Sequence, residues 1–203
     1  MKSGLFMQKI RKICVYCGSS SGVDPVFIAS AKLFGSILAE NDIGLVYGGG
    51  DLGLMGAVAH ATLSAGGHVT GIIPRFLQKR EHMLDSVQDL LIVEDMHERK
   101  RLMFEKADAF VALPGGIGTL EELVEQLTWV QLERHDKPVL IADIGGFWGP
   151  LLALLDHMRE QGFIRPHCDA RYLVCERVED ILPLLQADFV KKAEPHRELR
   201  PEL

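Results

Sequence analysis

Short apolar runs alternate along this chain with longer segments in which apolar residues recur at helical spacing. The runs are rich in β-branched residues and predict strands over residues 13–17, 43–47, 68–73, 90–93, 109–113, 138–142 and 172–175. Among the segments between them, helices are predicted over residues 25–40, 54–65, 97–107, 120–133 and 148–160. Several of the strands are almost wholly apolar, as is typical of strands buried on both faces. The pattern therefore predicts an α/β fold with a doubly wound, mostly parallel sheet and helices on both faces.

We expect a single domain spanning residues 1–203. This length is enough for one sizeable core, and neither an internal repeat nor a domain linker divides the chain. We place the core at about residues 10–188. Residues 189–203 are rich in charge and contain two prolines, so a flexible tail is predicted there.

Composition limits the classes of partner. The chain is 47% hydrophobic and 25% charged, which is ordinary for a globular protein. Its net charge of −6 argues against nucleic-acid binding, although a local glycine loop can still bind a small anion. No apolar run approaches the ~20 residues needed to span a membrane, and residues 1–12 lack the apolar core of a signal peptide. We therefore expect a cytoplasmic protein with a small-molecule ligand.

Cys14 and Cys17 form a C-x-x-C pattern inside a predicted strand. Residues three apart on a strand point to opposite faces, which disfavours a shared redox or metal role. Cys168 and Cys175 do not supply the second close pair that a zinc site needs. We interpret Cys14 and Cys17 as buried strand residues, and expect neither a metal nor a cofactor.

The segment Pro114–Glu122, with the sequence P-G-G-I-G-T-L-E-E, is the most informative part of the chain. It follows an apolar run and precedes a helical segment, so it has the order strand, glycine loop, helix N-terminus. Glycines allow close backbone approach, and the free N–H groups of a first helical turn favour a phosphate. Together with the loops at 18–22 and 48–56, it is expected to lie beyond the carboxyl ends of the strands, where such folds bind ligands.

The glycines from Gly48 to Gly53 match the G-x-G-x-x-G pattern of dinucleotide sites. A site for NAD also needs an acid about 20 residues further on, and the strand in residues 68–75 ends without one. We therefore favour a mononucleotide or sugar-phosphate site over NAD. The alternative is a tight turn whose glycines let a helix pack closely on a strand.

The acidic residues after the glycine loop allow two interpretations. Thr119 and Glu122 fit a capping box, in which both side chains serve only the helix end. Alternatively, Glu122 acts in catalysis beside the phosphate. Glu121 and Glu122 diverge by ~100° around a helix, so two separate roles are favoured over a carboxylate pair.

A basic segment, Met96–Met103, precedes the glycine-loop strand. Such a run is commonly a solvated helix face. However, Arg99 lies near the start of a helix that follows a strand, so it could point into the ligand crevice and bind phosphate or a ribosyl oxygen.

These residues resemble the LOG ("lonely guy") family of cytokinin-activating phosphoribohydrolases, whose members have also been labelled lysine decarboxylases. Residues 114–122 are similar to its P-G-G-x-G-T-x-x-E signature. Further matching motifs occur in the family's order at residues 15–22, 47–56, 96–100, 128–132, 135–138 and 145–148. The resemblance covers roughly residues 10 to 185.

The resemblance implies a Rossmann-like fold, a homodimer, and cleavage of the N-glycosidic bond of AMP or of an N6-prenylated cytokinin nucleotide. Free base and ribose 5-phosphate would be the products. Arg99 and Glu122 would be catalytic. The nucleotide would contact Glu81, Lys100, Gly115, Gly116, Gly118, Thr119, Glu121 and Thr128, and we add Ser19, Gly49 and Gly50 from the other two glycine loops. The segment around Glu81 departs from the family pattern.

The chemistry agrees with this assignment, because cleaving the C1′–N bond builds positive charge on the ribose. Glu122 would stabilise that charge and activate water, with Glu121 on the ribose hydroxyls and Arg99 neutralising the departing base. The rival hypotheses are a non-catalytic nucleotide or cofactor carrier and an NAD-dependent oxidoreductase. No lysine motif typical of a pyridoxal phosphate site supports the decarboxylase label.

Overall fold

The computed structural model of the chain describes residues 9–78, 82–165 and 170–193. Within these described ranges, the chain forms seven strands: β1 (Lys12–Tyr16), β2 (Gly44–Tyr47), β3 (Val69–Pro74), β4 (Asp89–Val93), β5 (Ala109–Ala112), β6 (Val139–Ala142) and β7 (Leu173–Cys175). They make one sheet in the order β4-β3-β2-β1-β5-β6-β7. Each predicted strand is confirmed to within one residue at each end. Every pairing between these strands is parallel, so the sheet is more uniform than the mostly parallel one predicted.

The α-helices of the described ranges are α1 (Pro25–Glu40), α2 (Gly53–Ser64), α3 (Met96–Lys106), α4 (Ile117–Gln131), α5 (Gly149–Glu160) and α6 (Val178–Ala193). Short 3-10 turns follow β3 and β6. Residues 189–193 belong to α6 rather than to the tail predicted over 189–203, and residues 194–203 lie outside the described ranges. None of the described helices combines the length and apolarity needed to cross a lipid bilayer.

Helices cover both faces of the sheet, as predicted, and each face has its own apolar core. One core joins Ile13 and Val15 of β1 to α1, α2 and α6. The other joins Cys14 and Tyr16 to α3, α4 and α5. Cys17 lies in the first core and Cys14 in the second, which confirms that the two thiols point to opposite faces.

The strand order reverses between β1 and β5. From β1 the chain adds strands toward β4 on one side, and then returns past β1 to add β5, β6 and β7 on the other. Since β1 and β5 are parallel neighbours, with Tyr16 opposite Ala112, their carboxyl ends lie side by side. This switch point is where open α/β sheets bind ligands, and both adjoining loops here are glycine-rich.

Candidate active site

A crevice with a volume of about 220 Å³ lies at the switch point, between the loops that follow β1 and β5. Its described lining residues are Gly18, Ser19, Ser20, Ser21, Gly22, Phe27, Leu54, Pro114, Gly115, Gly116 and Phe147. Three predicted ligand residues, Ser19, Gly115 and Gly116, therefore belong to one cavity.

Backbone hydrogen bonds hold the glycine loops around this crevice together. The N–H of Gly18 donates to the carbonyl of Pro114 at 3.1 Å, and the carbonyl of Gly18 accepts from the N–H of Leu54 at 3.0 Å. Gly115 packs so closely against Gly18 and Thr119 that a Cβ on it would collide with the Thr119 side chain and with the Gly18 nitrogen. The crevice is thus built from backbone fixed by backbone, which suits a preorganised anion site.

Helix α4 begins at Ile117, three residues earlier than predicted, with Gly116 as its N-cap and no side-chain cap among the described residues. Thr119 is the third residue of the helix and is buried, so the capping box is wrong. The N–H groups of this first turn have no intrahelical acceptors. A Cβ at Gly116 or Gly118 would extend into open space, so a phosphate can approach this helix end.

Glu122 is buried on the face of α4 that packs against the sheet, with 8% of its surface exposed. Its carboxylate lies close enough to β1 to act on three side chains. Burial first, and then the Glu122 charge, raise the pKa of the Cys17 thiol; both effects also raise the pKa values of Cys14 and Tyr16. Since Thr119 and Glu122 do not form a capping box, capping of the helix does not explain the presence of Glu122.

Arg99 lies on α3 with only 6% of its surface exposed. Its Nη2 donates to the carbonyl of Gly48 at 3.3 Å, and its Nε has no partner within the described ranges. A Cβ at Gly48 would collide with this guanidinium, so the glycine makes room for the arginine. Arg99 lowers the pKa of the Cys14 thiol, against the larger effects of burial and of Glu122. Arg99 and Glu122 therefore lie around the same residue on one face of the sheet.

The neighbouring charges join α3 to α4. Lys100 Nζ donates to Glu121 Oε1 at 2.6 Å and to Glu125 Oε1 at 2.9 Å. Burial alone would lower the pKa of Lys100, but the hydrogen bonds and charges of Glu121 and Glu125 outweigh it, and the pKa is raised. Lys100 is therefore firmly charged.

The other predicted ligand residues lie at different distances from the crevice. Gly49 and Gly50 are attached to the segment after residue 82: the Gly49 carbonyl accepts from Leu84 N–H, and Gly50 forms a bridge to Met83. The Thr128 hydroxyl donates to the Val124 carbonyl. Thr128 is exposed, and it lies about 16 Å along α4 from Ile117, the first residue of the helix. Contact between Thr128 and the nucleotide therefore stays a prediction. Glu81 lies outside the described ranges.

The structure thus brings the predicted residues into two adjoining groups. Ser19, Gly115 and Gly116 line the crevice, whereas Arg99 and Glu122 are outside its described lining and lie beside β1 and β2. Three apolar residues that line the crevice, Phe27, Leu54 and Phe147, were not among the predicted ligand residues. Two of them lie in motifs that the sequence showed: Leu54 in residues 47–56 and Phe147 in Gly145–Trp148. The Phe27 and Phe147 rings meet edge to face, 5.6 Å apart.

Comparison with known proteins identifies the family. The model of the family described as "Possible lysine decarboxylase" matches residues 55–185. Cytokinin riboside 5'-monophosphate phosphoribohydrolase LOG1 of Arabidopsis thaliana is 43% identical, covering 91% of this chain and 90% of that protein. LOG3 of Arabidopsis thaliana is 49% identical over 78% of this chain and 74% of that protein. LOG of Oryza sativa subsp. japonica is 48% identical, with coverage of 82% and 68%.

Solved structures show the same fold at lower identity. The molybdenum cofactor binding protein from Rippkaea orientalis has a TM-score of 0.65 at 20% identity, covering 88% of this chain and 97% of that one. The molybdenum cofactor carrier protein from Chlamydomonas reinhardtii gives 0.67 at 18%, with coverage of 89% and 98%. The fold therefore defines a Rossmann-like α/β protein with a switch-point crevice. By its sequence, the chain belongs to the LOG family.

The thiols beside Glu122 provide a test of its charge. Replacing Glu122 with Gln should lower the pKa of Cys17 and increase its alkylation, by up to about tenfold for each pKa unit removed. Cys175 is an internal control, because it is similarly buried and its pKa is raised to about 11 by burial and then by Asp180. Mass spectrometry after brief alkylation of the folded protein would give the Cys17 to Cys175 ratio. An unchanged ratio would contradict an ionised Glu122 beside β1.

Proposed function

We propose that this protein hydrolyses the N-glycosidic bond of a purine nucleoside 5′-monophosphate, either a cytokinin riboside 5′-monophosphate or AMP, giving free base and ribose 5-phosphate. The observation that carries the proposal is the burial of Glu122 and Arg99 on neighbouring helices, with Glu122 in the second turn of a helix whose glycine-rich start has no side-chain cap among the described residues. The names of the relatives at 41–49% identity support the same activity.

The 5′-phosphate anchors the substrate at the N-terminus of α4. The N–H groups that follow Gly116 donate to its oxygens, and the serine loop at 19–21 lies across the crevice. An anchor at this distance from the reacting bond converts binding energy into orientation of C1′. The phosphate is therefore expected to affect the rate of reaction as well as affinity.

Glu122 lies in the second turn of the same helix, and its carboxylate acts on the ribose. As the C1′–N bond breaks, positive charge develops on the sugar, and a carboxylate held nearby stabilises it. The same group can accept a proton from the attacking water. Burial of Glu122 strengthens these interactions, because less solvent screens the charge.

Arg99 acts on the departing base. Its guanidinium stays charged at physiological pH, so it offers hydrogen bonds and positive charge rather than a proton. The Nε, which has no partner among the described residues, leaves a donor for a ligand even while Nη2 bonds to the carbonyl of Gly48. Glu121, which is half-exposed, is assigned to the ribose hydroxyls.

The carrier hypothesis has less support. The molybdenum cofactor proteins are only 18–20% identical to this chain, and their likeness concerns the fold. Binding a phosphate in a simple carrier gains nothing from nearby acids, yet Glu121 and Glu122 both lie just beyond the anion-binding turn of α4.

The experiment that tests the function is incubation of the purified protein with AMP, isopentenyladenosine monophosphate and adenosine. Chromatography should show free base from the nucleotides, with an equal amount of ribose 5-phosphate. Because adenosine lacks the anchoring phosphate, its kcat/KM should be lower by about 100-fold or more. Equal rates for AMP and adenosine would contradict the phosphate anchor. Binding of nucleotides without release of base would favour the carrier.

Replacing Glu122 with Gln should lower kcat by about 100-fold or more, because the amide keeps the shape of the side chain but loses the charge and the base. Glu40→Gln is the control, since it removes an exposed carboxylate at the remote end of α1. Both rates should be measured at saturating AMP, with thermal unfolding recorded for each variant. Full activity of the Glu122→Gln protein would show that Glu122 has a structural role and is not catalytic.

We also propose that the active protein is a homodimer in the cytoplasm. The free thiols at Cys14, Cys17 and Cys175 are typical of a reducing compartment. Helices α4 and α5 cover the same face of the sheet and expose large apolar side chains at Ile117, Val124, Leu154 and Met158, and Leu132 just after α4 is also exposed, as expected of an interface.

The homodimer predicts that dilution lowers activity if both copies complete each site. Specific activity toward AMP should then fall together with the dimer fraction measured by light scattering or sedimentation. Activity that stays constant while the protein dissociates would show that each copy works alone.

A further inference from the structure

An ion-pair cluster connects the helices that carry the two catalytic residues. The ammonium of Lys100 on α3 lies between Glu121 and Glu125 on α4, at 2.6 and 2.9 Å. Only 13% of the Lys100 side chain is exposed, against 23% for Glu125 and 50% for Glu121. A pair with this degree of burial is less screened than a surface ion pair and holds its geometry more firmly.

The cluster lies directly beside the catalytic pair in the chain. Consecutive helical residues point about 100° apart. Arg99 therefore faces the sheet while Lys100 reaches sideways to α4, and Glu122 faces the sheet while Glu121 reaches back toward α3. Any shift of α3 relative to α4 at this level changes the separation of Arg99 and Glu122.

The two helices also touch farther from the site. Both begin at the carboxyl edge of the sheet and run in the same direction, because both lead from one parallel strand to the next. Near the distal end of α3, Phe104 meets Trp129 of α4 edge to face, with ring centroids 5.1 Å apart. This contact keeps the helices together if the ion pairs are removed, and leaves the cluster to set the spacing of the ends near the substrate.

Glu121 and Glu125 are suited to different tasks within the cluster. Glu121 is the more exposed and is assigned to the ribose hydroxyls, which would compete with Lys100 for its oxygens. Glu125 lies one turn farther along α4, away from the crevice, and has one oxygen buried without a partner in the described ranges. Glu125 can therefore hold Lys100 throughout turnover.

We propose that Glu125 is a positioning residue for the hydrolysis: by holding Lys100, it fixes α3 against α4 and sets the distance between Arg99 and Glu122. The proposal rests on the proposed function, and it makes Lys100 a structural link rather than a nucleotide contact. A misplacement of about 1 Å at a reacting centre can lower a rate about 100-fold, so a partial loosening has a measurable effect.

The test is Glu125→Gln, which removes the charge and keeps the size of the side chain. We expect kcat for AMP to fall about tenfold and KM to change by less than about twofold, because ground-state binding of the phosphate is untouched. Glu105→Gln is the matched control: it breaks the exposed Arg101–Glu105 pair, 2.9 Å long, which lies within α3 alone. The control should leave kcat and KM unchanged.

The exchanged pair, Lys100→Glu with Glu125→Lys, keeps one lysine and two glutamates in the cluster and should recover most of the kcat that either single substitution loses. Recovery would support positioning, since a substrate contact by Lys100 is not restored by moving its charge to α4. A loss confined to KM with no recovery, or an unchanged kcat in Glu125→Gln, would overturn the proposal.

Amide hydrogen exchange gives a measurement that needs no substrate. In Glu125→Gln, exchange should be faster in the first two turns of α3 and α4 and unchanged around Phe104 and Trp129. Unchanged exchange in the first turns would contradict the clamp. If the unaltered protein releases no base from either AMP or isopentenyladenosine monophosphate, the proposed function fails by itself, and the exchange result still decides whether Glu125 fixes the two helices.

Discussion

The parallel pairing of β1 with β5 is the constraint on which the site depends. It pairs residues that are 96 positions apart in the sequence, from Ile13 with Ala109 to Tyr16 with Ala112. Their glycine loops are therefore neighbours, and the Gly18 N–H can reach the carbonyl of Pro114. Helix α4 starts from the second loop, so the same pairing positions both the anion-binding turn and Glu122. Without it, the loops would be separate turns on the surface.

The proposed site brings charges of the same sign close together. On the proposed function, an anionic substrate binds at a site whose reacting end carries two glutamates, in a protein with a net charge of −6. The conflict is resolved by local dipoles and paired charges. On the proposed function, backbone N–H groups face the phosphate, while Lys100 is paired with Glu121 and Arg99 is held at the carbonyl of Gly48. Acid and phosphate can share one helix because they occupy different turns of it.

The order of strands and helices could be predicted well from the sequence, because apolar runs and helical periodicity are local properties of the chain. The start of α4 could not. Thr119 and Glu122 match a capping box, whereas Gly-Ile-Gly is a weak helix former; the close packing of Gly115 against Thr119 decides the outcome instead. The burial of Arg99 depends on a carbonyl 51 residues away, and the Lys100–Glu125 pair spans 25, so neither contact has a local signal. The sequence places Glu121 and Glu125 one helical turn apart, but this spacing does not predict that both pair with Lys100.

The start of α4, which has no side-chain cap among the described residues, has a consequence for the fate of the product. A helix that lacks a side-chain cap is completed by whatever anion occupies its first turn, so on the proposed function the substrate's phosphate becomes a temporary part of the secondary structure. Hydrolysis removes the base but leaves that phosphate in place. Release of ribose 5-phosphate therefore leaves the start of α4 without its cap. The contact that binds the nucleotide also slows the release of the sugar phosphate. Such an enzyme is inherently sensitive to the level of phosphorylated pentose around it, without needing a second binding site to sense it.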